Sequence, residues 1–198
     1  MGIFKRIKKL EEELYKIKIK TFYCKELSEE LKWFYNGVTL KFQNDSPNPD
    51  PVYACEGDSG FDLRAWIKED EDDVFFTDPK GIQIHLRPHE RRLIHTGIKC
   101  ELPHHTEIQV RPKSGNALKL GLSIVNTPGS VDELYRGEIC VIALNTSDKD
   151  IVIKNGDKIA QAVLCPVLNS YYVNMTKVDE IDTNTERGEG GFGHTGTN

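Results

Sequence analysis

Five short segments of this 198-residue chain bring together acids, amides, cations and glycines, and those residue types limit the chemistry available. In Ser59-Gly60-Phe61-Asp62-Leu63 an acid sits on an otherwise apolar strand. A carboxylate buried there needs a partner, either an arginine in a structural ion pair or a hydrated metal. Arg111-Pro112-Lys113-Ser114-Gly115 leads into a predicted helix, so Ser114 and the first backbone amides make an anion site or a plain N-cap. Asn126 to Gly137 reads as a hairpin carrying an amide, the carboxylate of Asp132 and the ring of Tyr135. Gly156 to Gln161 is a turn feeding a strand that carries a glutamine. Last comes Arg187-Gly-Glu-Gly-Gly-Phe-Gly-His-Thr-Gly. Gly188 to Thr195 nearly spells the phosphate-binding loop G-x-x-x-x-G-K-S/T, with His194 at the lysine position. Such a loop needs a helix behind it, and only Thr197 and Asn198 follow. The segment therefore reads as a flexible strip that orders over a ligand, or as a frayed chain end.

These segments must be held by something, and the pattern from Val38 onward is short β-rich runs broken by turns. Val38–Phe42, Phe61–Ile67, Gly81–Leu86, Leu93–Lys99, Glu107–Val110, Gly121–Val125, Glu138–Leu144, Ile151–Ile153 and Lys158–Leu164 are the expected strands. Strands so regularly spaced indicate an all-β sandwich or barrel. One short interior helix is expected over Ser114 to Leu120. Residues 1–36 differ: Ile3, Ile7, Leu10, Leu14 and Ile17 recur at heptad-like spacing, the alternation from Ile17 to Thr21 equally suits a strand, and a second helical patch runs from Ser28 to Phe34. This N-terminal helical extension is expected to lie on its own domain. The domain plan is thus 1–36 as extension, 37–178 as β core, and 179–198 as linker plus glycine-rich lid. The acidic run Glu69–Asp73 reads as a solvated loop.

Composition narrows the function classes. A hydrophobic fraction of 38% supports a core in a chain this long, yet no apolar run approaches the ~18 residues a membrane span needs. The basic N-terminus lacks the apolar block of a signal peptide. Five scattered cysteines (Cys24, Cys55, Cys100, Cys140, Cys165) contain no CxxC pair, which argues against structural zinc and a disulfide framework and for a reducing cytoplasm. A net charge of −5 disfavours nucleic-acid binding, so a polyanionic ligand must be met by local cations, glycine amides or a divalent metal.

In this order the five segments resemble the five motifs of the trimeric dUTP pyrophosphatases (dUTPases), over roughly residues 37–198. The resemblance implies a jelly-roll-like β-barrel, a homotrimer with active sites shared between subunits, Mg2+ as cofactor, and hydrolysis of dUTP to dUMP and pyrophosphate. That activity limits uracil incorporation into DNA and supplies dUMP for thymidylate synthesis. It further implies Asp132 as the base that activates water for attack on the α-phosphorus, with Gln161 beside that phosphate. Asn126 and Gly129, Ser130 and Val131 would read uracil, and Tyr135 would stack under the sugar and exclude a 2′-hydroxyl. Lys113, Ser114 and Gly115 would hold phosphates, and Asp62 would touch the metal through water while the triphosphate supplies the direct ligands. From the tail, Arg187, Gly193, His194 and Thr195 would grip the β- and γ-phosphates, with Phe192 covering the base.

Two departures stand out: Lys113 replaces the usual arginine of the second motif, and Ser59 stands where alanine is common. The related dCTP deaminases carry a catalytic glutamate on the strand after the hairpin, but here that strand reads Glu138-Ile-Cys-Val-Ile-Ala-Leu-Asn145, without a Thr-Leu-Glu pattern. A non-enzymatic nucleotide-responsive regulator is a reading of another class, opposed by the complete set of reactive residues. The N-terminal extension falls outside the resemblance and could serve a partner.

Overall fold

A computed structural model describes residues 37–68, 77–78 and 81–191, together with Leu10, Glu13 and Leu14. It divides into two compact units, Met1–Val167 and Leu168–Asn198.

Among the residues described from Gly37 onward, the first unit has twelve strands and one helix: β1 (Lys41–Asn44), β2 (Phe61–Arg64), β3 (Thr77–Asp78), β4 (Gly81–Leu86), β5 (Arg91–Ile94), β6 (Ile98–Glu101), β7 (Thr106–Arg111), α1 (Ser114–Leu120), β8 (Leu122–Ile124), β9 (Gly129–Val131), β10 (Val141–Asn145), β11 (Ile151–Lys154) and β12 (Lys158–Pro166). They form four small antiparallel sheets, ordered β2-β12-β7-β9, β5-β10-β8, β11-β4-β3 and β1-β6. Alternation makes the strands. In β7 Thr106, Ile108 and Val110 are buried while Glu107, Gln109 and Arg111 face outward, the period of two that puts one face on a core. Leu63, Ile84, Leu86, Ile94, Ile108, Val141 and Ile153, all buried, form that core's centre.

Among the residues described from Gly37 onward, the all-β fold with one short interior helix stands as expected. α1 runs from Ser114 to Leu120 because Pro112 cannot extend β7 and Gly121 stops the helix in the left-handed region at φ 75°. A Cβ at Gly121 would come within 2.9 Å of Ser147 Cβ. None of the helix's residues is buried.

Several boundaries differ from the sequence expectation. The run Leu93–Lys99 is two strands, β5 and β6, broken at His95–Gly97. There Glu138 Oε1 accepts from the Thr96 and Gly97 amides at 3.0 and 2.7 Å, and Thr96 Oγ1 donates to the Ile139 carbonyl at 2.5 Å. Burial opposes ionisation of Glu138, but the Gly97 amide, His95 and the Thr96 amide together hold its carboxyl below the usual range. β2 stops at Arg64, after which the Ala65 amide turns to the Asp157 carbonyl at 2.9 Å. β1 lies a few residues later than expected, at Lys41–Asn44. β3 and β9 were not expected as strands. Leu10 and Leu14 of the N-terminal seam are helical and exposed, as is Glu13 between them; the other residues of 1–36, and the acidic run 69–73, lie outside the described residues. No helix among the described residues is long and apolar enough to cross a membrane.

Candidate active site

Strand register assembles the first cluster. β12 pairs with β2 so that Gln161 faces Asp62, and with β7 so that Gln161 faces Arg111. The row Asp62–Gln161–Arg111 thus lies across one face of the sheet, each side chain half-buried. Beyond Arg111, the Pro112 carbonyl accepts from Gln161 Nε2 at 3.0 Å, which fixes the amide. Lys113 then reaches back to Asp62 Oδ1, and Lys158 Nζ meets the other carboxylate oxygen at 2.6 Å. Asn116 Nδ2 donates to the Lys158 carbonyl at 2.8 Å and ties α1 to β12. Partial burial works against the charge on Asp62, but Lys113 and Lys158 outweigh it and hold the carboxyl below the ordinary aspartate range. This acid is paired with two lysines in place of the arginine that the sequence offered as an ion-pair partner.

Ser114 and Gly115 are exposed at the start of α1, whose N-cap is Lys113 with no side-chain capping bond. The first amides of any helix lack intrahelical acceptors. A Cβ on Gly115 would meet nothing within 4 Å, so the chain itself gives no steric reason for a glycine there. Gly60 is the opposite case: its Cβ would lie 2.8 Å from the Ala162 carbonyl and 2.9 Å from Val163 Cγ2, so close approach of β2 to β12 demands it.

The second cluster is the hairpin. β9 pairs with β7, setting Gly129 opposite Val110 and Ser130 opposite Gln109. The Thr127–Pro128 peptide bond is cis. The Asn126 amide lies against Gly129, 3.0 Å from where a Cβ would stand. Beyond Val131 the chain turns tightly, with the Tyr135 amide donating to the Asp132 carbonyl at 3.0 Å. Glu133, buried in this turn, pins it: its Oε2 accepts from the His105 amide at 2.9 Å and its Oε1 lies 2.7 Å from His104 Nδ1. Asp132 is left exposed on a fixed turn. Tyr135 donates its hydroxyl to the Glu138 carbonyl at 3.0 Å and leaves its ring half exposed. Gly137 permits this, since a Cβ there would stand 2.3 Å from the Tyr135 hydroxyl oxygen.

Asp62, Lys113, Ser114, Gly115 and Gln161 are thus gathered at one place, and Asn126, Gly129, Ser130, Val131, Asp132 and Tyr135 at another, with β7 between. Among the described residues no hydrogen bond or ion pair joins Asn126, Asp132 or Tyr135 to the Asp62 cluster. Arg187 belongs to the second unit, where its Nε donates to the Gly190 carbonyl at 3.0 Å within a tight turn. Phe192, Gly193, His194 and Thr195 lie outside the described residues. Sequence reasoning gave no role to Lys158, Asn116 or Glu133. Lys158 lies inside a motif already noted, but only the register shows that it meets Asp62. Glu133 looks like its neighbour Asp132 until burial separates them.

Comparison with known proteins adds the following. The family model described as dUTPase matches residues 81–196. A relative from Hydrogenobaculum sp. (strain Y04AAS1), named deoxyuridine 5'-triphosphate nucleotidohydrolase, is 46% identical over 146 residues, covering 74% of this chain and 89% of the relative. A protein of the same name from Caulobacter vibrioides is 40% identical over 163 residues, or 81% and 96% of the two chains. Among solved structures, a mutant dUTPase of Staphylococcus bacteriophage 80alpha with dUpNHpp superposes with TM-score 0.64 at 22% identity, over 80% of this chain and 98% of that one. A mutant dUTPase of S. aureus phage phi11, described with coordination of a structural Mg(II) ion, gives 0.59 at 20% identity over 73% and 99%. These two structures are similar to the chain in fold.

Proposed function

The chain belongs to the dUTPase family and hydrolyses dUTP to dUMP and pyrophosphate, and we propose how its residues divide that work. Asp132 orients a water and takes its proton as the water oxygen bonds the α-phosphorus. The bond from that phosphorus to the oxygen bridging the β-phosphate breaks, and pyrophosphate leaves. Gln161, its amide fixed on Pro112, sits beside the α-phosphate. Lys113, Ser114, Gly115 and the first amides of α1 hold the phosphate chain, an arrangement suited to anions. For this, Lys113 exchanges Asp62 for phosphate while Lys158 stays on the carboxylate.

The donor at this place, a carboxylate oxygen on a partly exposed face, fits a hard cation through water. Magnesium, held mainly by the triphosphate and through water by Asp62, would neutralise phosphate charge there. Asn126 and the backbone of Gly129, Ser130 and Val131 read the uracil edge, because fixed backbone groups leave a wrong base with unpaired polar atoms. Tyr135 stacks on the deoxyribose with its ring, its hydroxyl being engaged by Glu138. Arg187, Phe192, Gly193, His194 and Thr195 close over the nucleotide as a lid.

Among the described residues no hydrogen bond or ion pair joins the hairpin to the phosphate cluster. That favours a homotrimer whose subunits each contribute part of every site. Cys55, Cys100 and Cys165 are free thiols, which fits the reducing cytoplasm.

The observation that carries this assignment is the convergence of Asp62, Lys113 and Gln161 beside a helix start whose Gly115 faces open space. The test is pyrophosphate release from dUTP, UTP, dCTP and dTTP, repeated with Asp132→Asn. Strong preference for dUTP is expected, with a loss of about 10²–10⁴-fold in the variant. Retained activity in Asp132→Asn would remove the assigned base; equal turnover of all four nucleotides would remove the hairpin as the reader of the base.

A further inference from the structure

We propose that His95, Glu138 and Cys140 form a binding site for a borderline-soft divalent transition-metal ion, with zinc as its type. Scattered cysteines without a CxxC pair hide such a site from sequence spacing. The fold creates it: β5 and β10 pair with Ile94 opposite Val141, which brings the residues just outside that pair, His95 and Cys140, together at the strand ends. Glu138 approaches from the segment leading into β10.

One ligand atom from each residue lies within 4.8 Å of the other two, and all three residues are half-buried. Cys140 Sγ stands 3.6 Å from His95 Nδ1, and that nitrogen stands 2.8 Å from Glu138 Oε2. Tetrahedral zinc, with Zn–N about 2.05 Å and Zn–S about 2.3 Å, separates its nitrogen and sulfur ligands by roughly 3.6 Å. The sulfur–nitrogen edge therefore already has the required length. The nitrogen–oxygen edge has to open from a hydrogen bond to roughly 3.4 Å, a small shift for two side chains on separate segments.

The donor set selects the ion. Imidazole nitrogen and thiolate sulfur favour zinc or its neighbours over Mg2+, which demands oxygen ligands. A thiolate and a carboxylate together cancel the charge of a divalent ion, which limits the cost of holding it half-buried. Glu138 is preset: its Oε1 is occupied by the Thr96 and Gly97 amides, and its Oε2 is turned to His95. Three protein ligands leave a fourth position for water. Lys68 competes for this carboxylate, its Nζ lying 3.9 Å from Glu138 Oε2. That ammonium also rests 4.4 Å from the centre of the Trp66 ring and keeps this second attachment when an ion takes the carboxylate.

The test titrates the full-length, metal-stripped protein with Co2+ and then Zn2+. One Co2+ per chain is expected, with a thiolate-to-cobalt charge-transfer band that Zn2+ removes and Mg2+ does not. Cys140→Ser should abolish the band, and His95→Ala should weaken Co2+ binding by about tenfold or more. Cys55→Ser and Cys165→Ser should leave it unchanged, and Lys68→Met should tighten binding several-fold. Glu138 is left alone because its other oxygen anchors the Thr96 and Gly97 amides. A band that survives in Cys140→Ser, or a wild-type protein that shows none at saturating Co2+, overturns the site. Mg2+-supported dUTP hydrolysis by Cys140→Ser should match wild type, so failure of this proposal and failure of the nucleotide assignment register in different assays.

Discussion

Replacing Gly115 by alanine should make the protein more stable and less active, and the two effects have separate physical origins. Gly115 is the second residue of α1, lies outside the left-handed region, and has nothing within 4 Å of a built Cβ. Folding therefore gains from alanine. The helix-propensity difference is at most about 1 kcal/mol in a helix interior and smaller in a first turn, and restriction of the unfolded chain contributes about 0.4–1 kcal/mol. For a chain of this size a net gain near 1 kcal/mol raises Tm by about 2–4 °C. The open space over Gly115 is also where the phosphate chain is placed by the proposed function. A methyl group there moves the phosphate off the first amides of α1. Loss of one such charge-assisted contact, about 1.5–3 kcal/mol, lowers kcat/KM by roughly ten- to a hundredfold. Calorimetry on the ligand-free protein reads the first effect, and pyrophosphate release under limiting dUTP reads the second. Gly121→Ala is the contrast: at φ 75°, with Ser147 Cβ 2.9 Å away, it should lower Tm instead. An alanine at 115 that leaves kcat/KM unchanged would refute the placement of the phosphates over α1. A fall in Tm would show that the space over Gly115 is filled in the assembled protein.

The pairing of Asp62 with Lys113 and Lys158 depresses its folded-state pKa. Its stabilisation is therefore full above the ordinary value of 3.8 and disappears as pH falls through the lower folded value. Wild type should melt above Asp62→Asn near neutral pH and converge with it in acid; a gap that widens on acidification would contradict the assignment. Gly137→Ala should displace the Tyr135 ring, since its Cβ would stand 2.3 Å from the hydroxyl oxygen. The ratio of kcat/KM for dUTP over UTP should then fall by about tenfold or more, while an unchanged ratio would remove Tyr135 as the guard against a 2′-hydroxyl.

What could be read from the sequence was whatever local chemistry decides. Pro112 and Gly121 bracket α1, and the alternation in Thr106–Arg111 separates core from surface, so both elements lay in plain view. Boundaries set by distant residues did not. The break between β5 and β6 depends on Glu138, whose oxygen holds an amide 41 residues earlier in the chain. The irregular register between Lys158 and Ala160 in β12 hid the contact of Lys158 with Asp62. Residue types announced both halves of the candidate site. The pairing that puts Gln161 between Asp62 and Arg111 comes only from two separate ladders.

Those ladders also give a physical sense to Lys113, where the second motif usually carries arginine. An arginine fork facing Asp62 could bind both carboxylate oxygens at once and would hold that geometry tightly. Lysine is a single rotatable charge that occupies one oxygen and leaves the other to Lys158. If Lys113 turns to a phosphate as proposed, Asp62 keeps its second ammonium and is not stranded as a half-buried, uncompensated charge. Desolvation would otherwise oppose that exchange. Division of the carboxylate between two lysines therefore lowers the cost of releasing one of them, and so tolerates the loss of the bidentate fork that an arginine would bring to the nucleotide.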